Sequence, residues 1–104
     1  MAGLNLSVLP KHKGAYKMKE AVWNAPEPTG LHARTAGLVM KIVMGHDARV
    51  DISANGRTAD GRSLLGLMGL GASAGTPLTI RAEGPEEEQV ISAIGAFLTG
   101  RPRP

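Results

Sequence analysis

The spacing of apolar residues along the chain changes between two periods, and each period predicts one kind of element. Alternation of apolar and polar residues is typical of a half-buried strand, and it occurs at residues 18–25, 48–54 and 77–83. Dense apolar runs indicate helices, and they occupy residues 36–44, 64–70 and 90–98. Asn55-Gly56 favours a type I′ hairpin turn, so a fourth strand is predicted at 57–60, paired with 48–54.

The predicted order is therefore strand, helix, strand, strand, helix, strand, helix. Three helices on one face of a four-stranded sheet make a two-layer α+β domain, and a chain of 104 residues is long enough for one such core. We expect this domain to cover residues 18–100. Residues 1–17 are predicted to be a flexible extension, with a short strand at 4–9 as the alternative, and residues 101–104 a tail.

Residues that cap helices set two of the predicted helix starts. The position of the run at 36–44 places His32 at or beside a helix N-terminus. Ser63 occupies the N-cap position before the run at 64–70, which Gly71 closes. This second run is apolar almost all round, so we expect part of it to face solvent or a partner.

The third predicted helix begins at three consecutive carboxylates and buries one stripe. Residues 86–88 are all glutamate, and we expect them to be solvated at the positive end of the helix dipole. The predicted buried stripe consists of Val90, Ile91, Ile94, Phe97 and Leu98. The helix therefore covers the sheet with its aliphatic side and presents its acidic start to water.

Composition and charge exclude several classes of function. The chain has no cysteine, which excludes disulfides and thiolate metal sites, and its three histidines lack ligand spacing, so no metal or other cofactor is expected. The net charge of +3 comes largely from the two ends, and three scattered aromatic residues cannot form a base-stacking groove, so nucleic acid is not expected as a partner. No apolar run approaches the roughly 20 residues of a membrane span. We predict a soluble, cytoplasmic protein that does not bind membranes.

The segment Gly30-Leu31-His32-Ala33-Arg34 holds the main candidate chemistry. Backbone N–H groups at a helix N-terminus lack intrahelical partners and favour an anion. A neutral imidazole is a good nucleophile towards phosphorus, and Arg34 can neutralise a phosphoryl group through charge-assisted hydrogen bonds. The spacing alone fits a structural or surface histidine as well, so both interpretations stay open at this point.

Ser63 also has two interpretations. As an N-cap, its hydroxyl accepts a backbone N–H and contributes about 1 kcal/mol. As a phosphorylation site, it would place a phosphate at the same positive helix end. The spacing of residues favours the cap.

Several segments together resemble HPr, the family of histidine phosphocarriers of the bacterial phosphoenolpyruvate-dependent sugar phosphotransferase system. They are residues 30–34, the strand pair around Asn55-Gly56, residues 62–71 and residues 79–84. The resemblance runs from about Met18 to Leu98. It implies an open-faced βαββαβα sandwich, which agrees with the element order predicted above.

The resemblance also implies a function. His32 would accept a phosphoryl group from phosphorylated enzyme I on its Nδ1 atom and pass it to enzyme IIA domains, and Arg34 would stabilise the phosphate. Ser63 would match the serine that a dedicated HPr kinase/phosphorylase modifies in some lineages. Such a protein acts as a monomer. It carries the phosphoryl group between partner enzymes and has no independent catalytic turnover.

In proteins of this family the first and second helices form the surface that docks on partners. By resemblance, that surface here consists of Gly37, Lys41, Leu64, Leu67 and Met68. One departure concerns the histidine itself: Thr35 stands where the family usually has proline. Threonine restores a backbone N–H, so we expect a looser first helical turn.

Two other functions remain open beside sugar uptake. Within the family, the protein could serve a regulatory or nitrogen-related phosphotransferase branch, in which the target is a regulator and not a permease. Outside it, the same fold with a silent histidine could be a binding module that docks on a partner and modulates it. Phosphorylation by enzyme I and phosphoenolpyruvate separates the binding module from the other two.

Overall fold

Seven elements follow one another in the computed structural model, which describes residues 18–100. They are β1 (Lys19–Asn24), α1 (Ala33–Met44), β2 (Arg49–Ala54), β3 (Arg57–Asp60), α2 (Leu64–Met68), β4 (Pro77–Glu83) and α3 (Glu87–Thr99). The predicted order is confirmed. The extension expected at 1–17, with its alternative strand at 4–9, and the tail expected at 101–104 lie outside the described residues.

The four strands form one antiparallel sheet in the order β1-β4-β2-β3. The central strand β4 pairs on one side with β1 and on the other with β2, so Ile80 lies between Ala21 and Ile52. Ile52 and Ile80 are buried, as their positions in the alternating pattern predict. The three helices cover this apolar face, and the predicted α+β sandwich is confirmed.

The hairpin between β2 and β3 is also as predicted. Asn55 has φ 54° and Gly56 has φ 76°, the two positive values that a type I′ turn requires. The side-chain amide of Asn55 donates hydrogen bonds to the carbonyls of Leu70 (2.8 Å) and Gly71 (3.1 Å). The hairpin therefore holds the chain just after α2 in place.

α1 begins at Ala33, directly after His32, in agreement with the predicted position of His32 at or beside a helix N-terminus. The second helix differs from prediction at its C-terminal end. α2 ends at Met68 with Gly69 as its C-cap, so it is two residues shorter than predicted, and Gly71 lies beyond the cap. Leu70 is buried all the same, because a tighter turn from Leu67 returns it to the core.

The start of α3 is not fully solvated, contrary to prediction. Glu87 is buried, and its Oε1 atom accepts a hydrogen bond from the backbone N–H of Gly84 at 3.0 Å. Within the predicted apolar stripe, Ile91 and Phe97 are only half-buried. Gly95 is buried instead, since a Cβ atom there would overlap the indole of Trp23.

Candidate functional site

His32 is the N-cap residue of α1. Its backbone is extended (φ −120°, ψ −168°), and its carbonyl accepts the first helical hydrogen bond, from the N–H of Ala36, at 2.7 Å. The Nδ1 atom of its ring accepts the N–H of Arg34 at 3.4 Å, while the residue is exposed to solvent. The predicted position at the helix N-terminus is confirmed.

The contact with the Arg34 N–H distinguishes the two ring nitrogens of His32. A neutral imidazole that accepts a hydrogen bond at Nδ1 has its hydrogen on Nε2. The Nδ1 lone pair faces the start of α1, where backbone N–H groups and the helix dipole favour negative charge. An electrophilic phosphorus bound at Nδ1 of His32 would therefore have its oxygens beside these donors.

The loop that leads to His32 is anchored on the segment after α2. Gly30 has φ 79°, and a Cβ atom there would overlap the carbonyl of Ala72. The next residue, Leu31, is buried, and its N–H donates to the same carbonyl at 2.8 Å. Glycine is required at position 30 because the two backbones touch and because φ is positive.

Thr35 contributes a side-chain hydroxyl to the first turn of α1, which the expectation of a looser turn did not consider. Its hydroxyl oxygen accepts the backbone N–H of His32 at 3.0 Å and donates to the carbonyl of Gly30 at 2.7 Å. The pair His32 and Thr35 thus forms a capping arrangement in which each side chain contributes a bond at the helix start. The spacing of an N-cap residue and a hydroxyl three positions later is the sequence signal that could have found this.

Arg34 lies on the exposed first turn of α1. Within residues 18–100 its guanidinium has no ion-pair or hydrogen-bond partner, while its backbone N–H is held by His32. An open cleft adjoins both residues, and the end of α3 forms its other wall. Phe97 and Thr99 line that wall, and no local sequence pattern relates them to His32, 65 or more positions earlier.

Ser63 is the N-cap of α2, as predicted. Its Oγ atom accepts the N–H of Gly66 at 3.0 Å, and the residue is half-buried. Arg62, beside it, is already engaged, because its guanidinium donates to the carbonyls of Ala48 (3.0 Å) and His46 (3.3 Å). The neighbouring carboxylate of Asp60 accepts the backbone N–H of Arg62 at 2.8 Å.

The predicted docking surface needs one correction. Leu67 has an exposed fraction of 0% and packs in the core, so it cannot contact a partner. Leu65, which was not in the predicted set, is 80% exposed, and Met68 is 38% exposed. A run that is apolar on all sides does not reveal which side faces the sheet. The remaining predicted members also lie on the paired helices α1 and α2: Gly37, Lys41 and Leu64.

Residues 18–100 contain neither a cluster of metal-binding side chains nor a helix that could span a membrane. No group of three histidine, cysteine or carboxylate side chains in that part of the chain could hold a metal ion. None of its helices combines the length and the apolar character needed to cross a membrane.

Comparison with known proteins places the chain in a family. The family model described as "PTS HPr component phosphorylation site" matches residues 20–100. The chain is 33% identical over 72 residues to the phosphocarrier protein HPr of Cupriavidus necator, which covers 69% of this chain and 81% of that protein. It is 36% identical over 69 residues to HPr of Vibrio cholerae, covering 66% of this chain and 81% of the relative.

Comparison with solved structures points to the same family. The crystal structure of an HPr from Thermoanaerobacter tengcongensis superposes with a TM-score of 0.75 at 29% identity, covering 79% of this chain and 92% of the other. The matched region includes the histidine-capped helix, the hairpin and the serine-capped helix described above. The chain therefore belongs to the HPr family of phosphocarrier proteins of the phosphotransferase system.

Proposed function

We propose that His32 accepts a phosphoryl group on Nδ1 from phosphorylated enzyme I and passes it to enzyme IIA domains in phosphoenolpyruvate-dependent sugar uptake. One observation carries this proposal: the Nδ1 atom of an exposed histidine faces the N–H of Arg34 at a helix N-terminus. An anion that displaced this single hydrogen bond would meet backbone N–H donors at the same place.

The transfer exchanges one P–N bond for another. The bond between phosphorus and the donor histidine of enzyme I breaks, and its electron pair stays on the donor ring. The Nδ1 lone pair of His32 gives up its hydrogen bond from the Arg34 N–H and forms the new bond to phosphorus. Nε2 keeps its hydrogen, so no base is needed, and the Arg34 N–H becomes available to a phosphoryl oxygen. Transfer to an enzyme IIA histidine repeats the exchange with His32 as the leaving group. The guanidinium of Arg34 and the N–H groups at the start of α1 stabilise the charge on the phosphoryl oxygens.

We infer the docking surface from the exposed apolar side chains of α2, the helix that packs against α1. Leu65 and Met68 are large apolar residues that remain in contact with water on α2, and Lys41 adds a positive charge on α1. Exposed apolar side chains that form a patch are typical of a protein–protein contact. Enzyme I and enzyme IIA would use the same surface in turn, because both must reach His32.

Phosphorylation with enzyme I and phosphoenolpyruvate tests the proposal. Intact-mass measurement should show the mass of one added phosphoryl group on the wild-type protein and on His12→Ala and His46→Ala, and none on His32→Ala. Label that persists in His32→Ala would contradict the assignment. A wild-type protein that takes no label would favour the alternative function, a binding module of the same fold with a silent histidine. Subsequent transfer to a sugar-specific enzyme IIA, compared with a nitrogen-branch enzyme IIA, separates sugar uptake from the regulatory branch.

Ser63 is proposed as a regulatory site for an HPr kinase/phosphorylase. Its hydroxyl lies at the start of the helix that carries Leu65 and Met68. A phosphate there would add a charge of about −1.5 to −2 at the edge of the docking surface. Arg62 is committed to two carbonyls, and Asp60 adds a second negative charge nearby, so little in the free protein would neutralise the phosphate. Partner binding would then have to desolvate it.

A further inference from the structure

The hydroxyl of Thr35 joins two parts of the backbone on either side of Leu31. It accepts the N–H of His32 at 3.0 Å and donates its single hydrogen to the carbonyl of Gly30 at 2.7 Å. The carbonyl of His32 lies farther from it, at 3.3 Å. Its single hydrogen and one of its two lone pairs are thus used within the loop that presents the histidine.

The imidazole itself is held weakly. Its one hydrogen bond within residues 18–100 is the 3.4 Å contact with the N–H of Arg34, and the residue is exposed. The direction of Nδ1 therefore depends on the backbone of His32, which fixes where the Cβ atom points. On one side that backbone follows Leu31, which is buried and bonded to Ala72. On the other, the bond from Thr35 is the one side-chain contact to the His32 N–H in the described part of the chain.

We propose that Thr35 is a positioning residue for His32, which holds Nδ1 in line for phosphoryl transfer by tying the His32 N–H to the Gly30 carbonyl. This inference rests on the proposed function. Thr35 acts through the backbone and does not touch the phosphoryl group, because its hydrogen is given to Gly30. Misplacement of a nucleophile by about 1 Å can cost as much as a hundredfold in rate, so even a modest change of loop geometry should be measurable.

Two substitutions separate the hydroxyl from the shape of the side chain. Thr35→Val keeps the branched shape and loses both hydrogen bonds, whereas Thr35→Ser keeps the hydroxyl. We expect Thr35→Val to lower kcat for phosphorylation by enzyme I about tenfold with KM nearly unchanged, since Leu65 and Met68 are not affected. Thr35→Ser should keep kcat within about twofold of the wild type. A loss of kcat that is equal in both variants, or a change in KM alone, would overturn the positioning role.

Amide hydrogen exchange supplies a readout that does not need phosphorylation. The His32 amide should exchange at least about tenfold faster in Thr35→Val than in the wild type, while Thr35→Ser resembles the wild type. Amides in β4 serve as the reference for global stability. Unchanged His32 exchange in Thr35→Val would overturn the hydrogen-bond bridge. A wild-type protein that takes no label from enzyme I would overturn the proposed function and the positioning role with it. A wild-type kcat for phosphorylation of Thr35→Val would overturn the positioning role alone.

Discussion

Leu65 and Leu67 lie two positions apart on α2, and one is 80% exposed while the other is completely buried. Because successive residues of an α-helix are about 100° apart around the axis, two positions separate side chains by roughly 200°. Leu67 therefore fills the core between α2 and the sheet, and Leu65 faces water. The two leucines allow the docking role of α2 to be tested separately from its role in stability.

We predict opposite effects for the two alanine substitutions. Leu67→Ala should lower the free energy of unfolding by about 2–5 kcal/mol, because it leaves a cavity. Leu65→Ala should change it by no more than about 0.5 kcal/mol, but it should raise KM for phosphorylation by enzyme I. Urea titration and transfer kinetics measure the two quantities. An unchanged KM in Leu65→Ala would remove Leu65 from the docking surface.

Two substitutions of Ser63 separate its role as a helix cap from its proposed role as a regulatory site. Ser63→Ala should lower the free energy of unfolding by about 1 kcal/mol because the bond to the Gly66 N–H is lost. Ser63→Asp retains a good cap, so its melting temperature should stay near the wild-type value. If this serine is a switch, the rate of phosphorylation at His32 should fall about tenfold or more in Ser63→Asp.

A charge placed elsewhere is the control for that experiment. Ser92 is exposed on α3, away from α2, and Ser92→Asp adds the same charge without touching the proposed docking surface. Its transfer rate should match the wild type. Equal rates in Ser63→Asp and Ser92→Asp would return Ser63 to a capping role only.

Gly30 and Gly37 provide a matched test of the loop before His32. Gly30→Ala should lower the free energy of unfolding by at least about 2 kcal/mol, because φ is positive and the new Cβ atom would overlap the Ala72 carbonyl. Gly37 lies in α1 with no atom within 4 Å of an added Cβ, so Gly37→Ala should raise the free energy of unfolding by about 0.5–1 kcal/mol. Thermal melts of both variants check the comparison; a Gly30→Ala protein as stable as wild type would show that the loop tolerates a shift.

The order of elements could be predicted because each depends on a local pattern. The alternation through Val50 and Ile52 depends on one strand, and the turn at Asn55-Gly56 on two residues that tolerate positive φ. His32 and Ser63 were placed at helix starts because caps are local as well. These features need no knowledge of the rest of the chain.

Part of what the sequence did not reveal depends on contacts between distant segments. The close approach of Gly30 to Ala72, and the wall that Phe97 adds to the cleft beside His32, join parts of the chain more than 40 positions apart. Two local contacts were missed as well. The bond from the Gly84 N–H to Glu87 spans only three positions, but the run of three glutamates does not show which of them turns inward. The bonds of the Thr35 hydroxyl were missed because only its backbone N–H was considered.

The position of the phosphoryl group on the ring tests the central claim most directly. Protein labelled with ¹⁵N in its histidines should be phosphorylated with enzyme I and phosphoenolpyruvate, and the imidazole nitrogens followed by NMR. We predict that only His32 changes, that phosphorus bonds to its Nδ1, and that Nε2 keeps its hydrogen. A bond to Nε2, or a phosphorylated His12 or His46, would contradict the account.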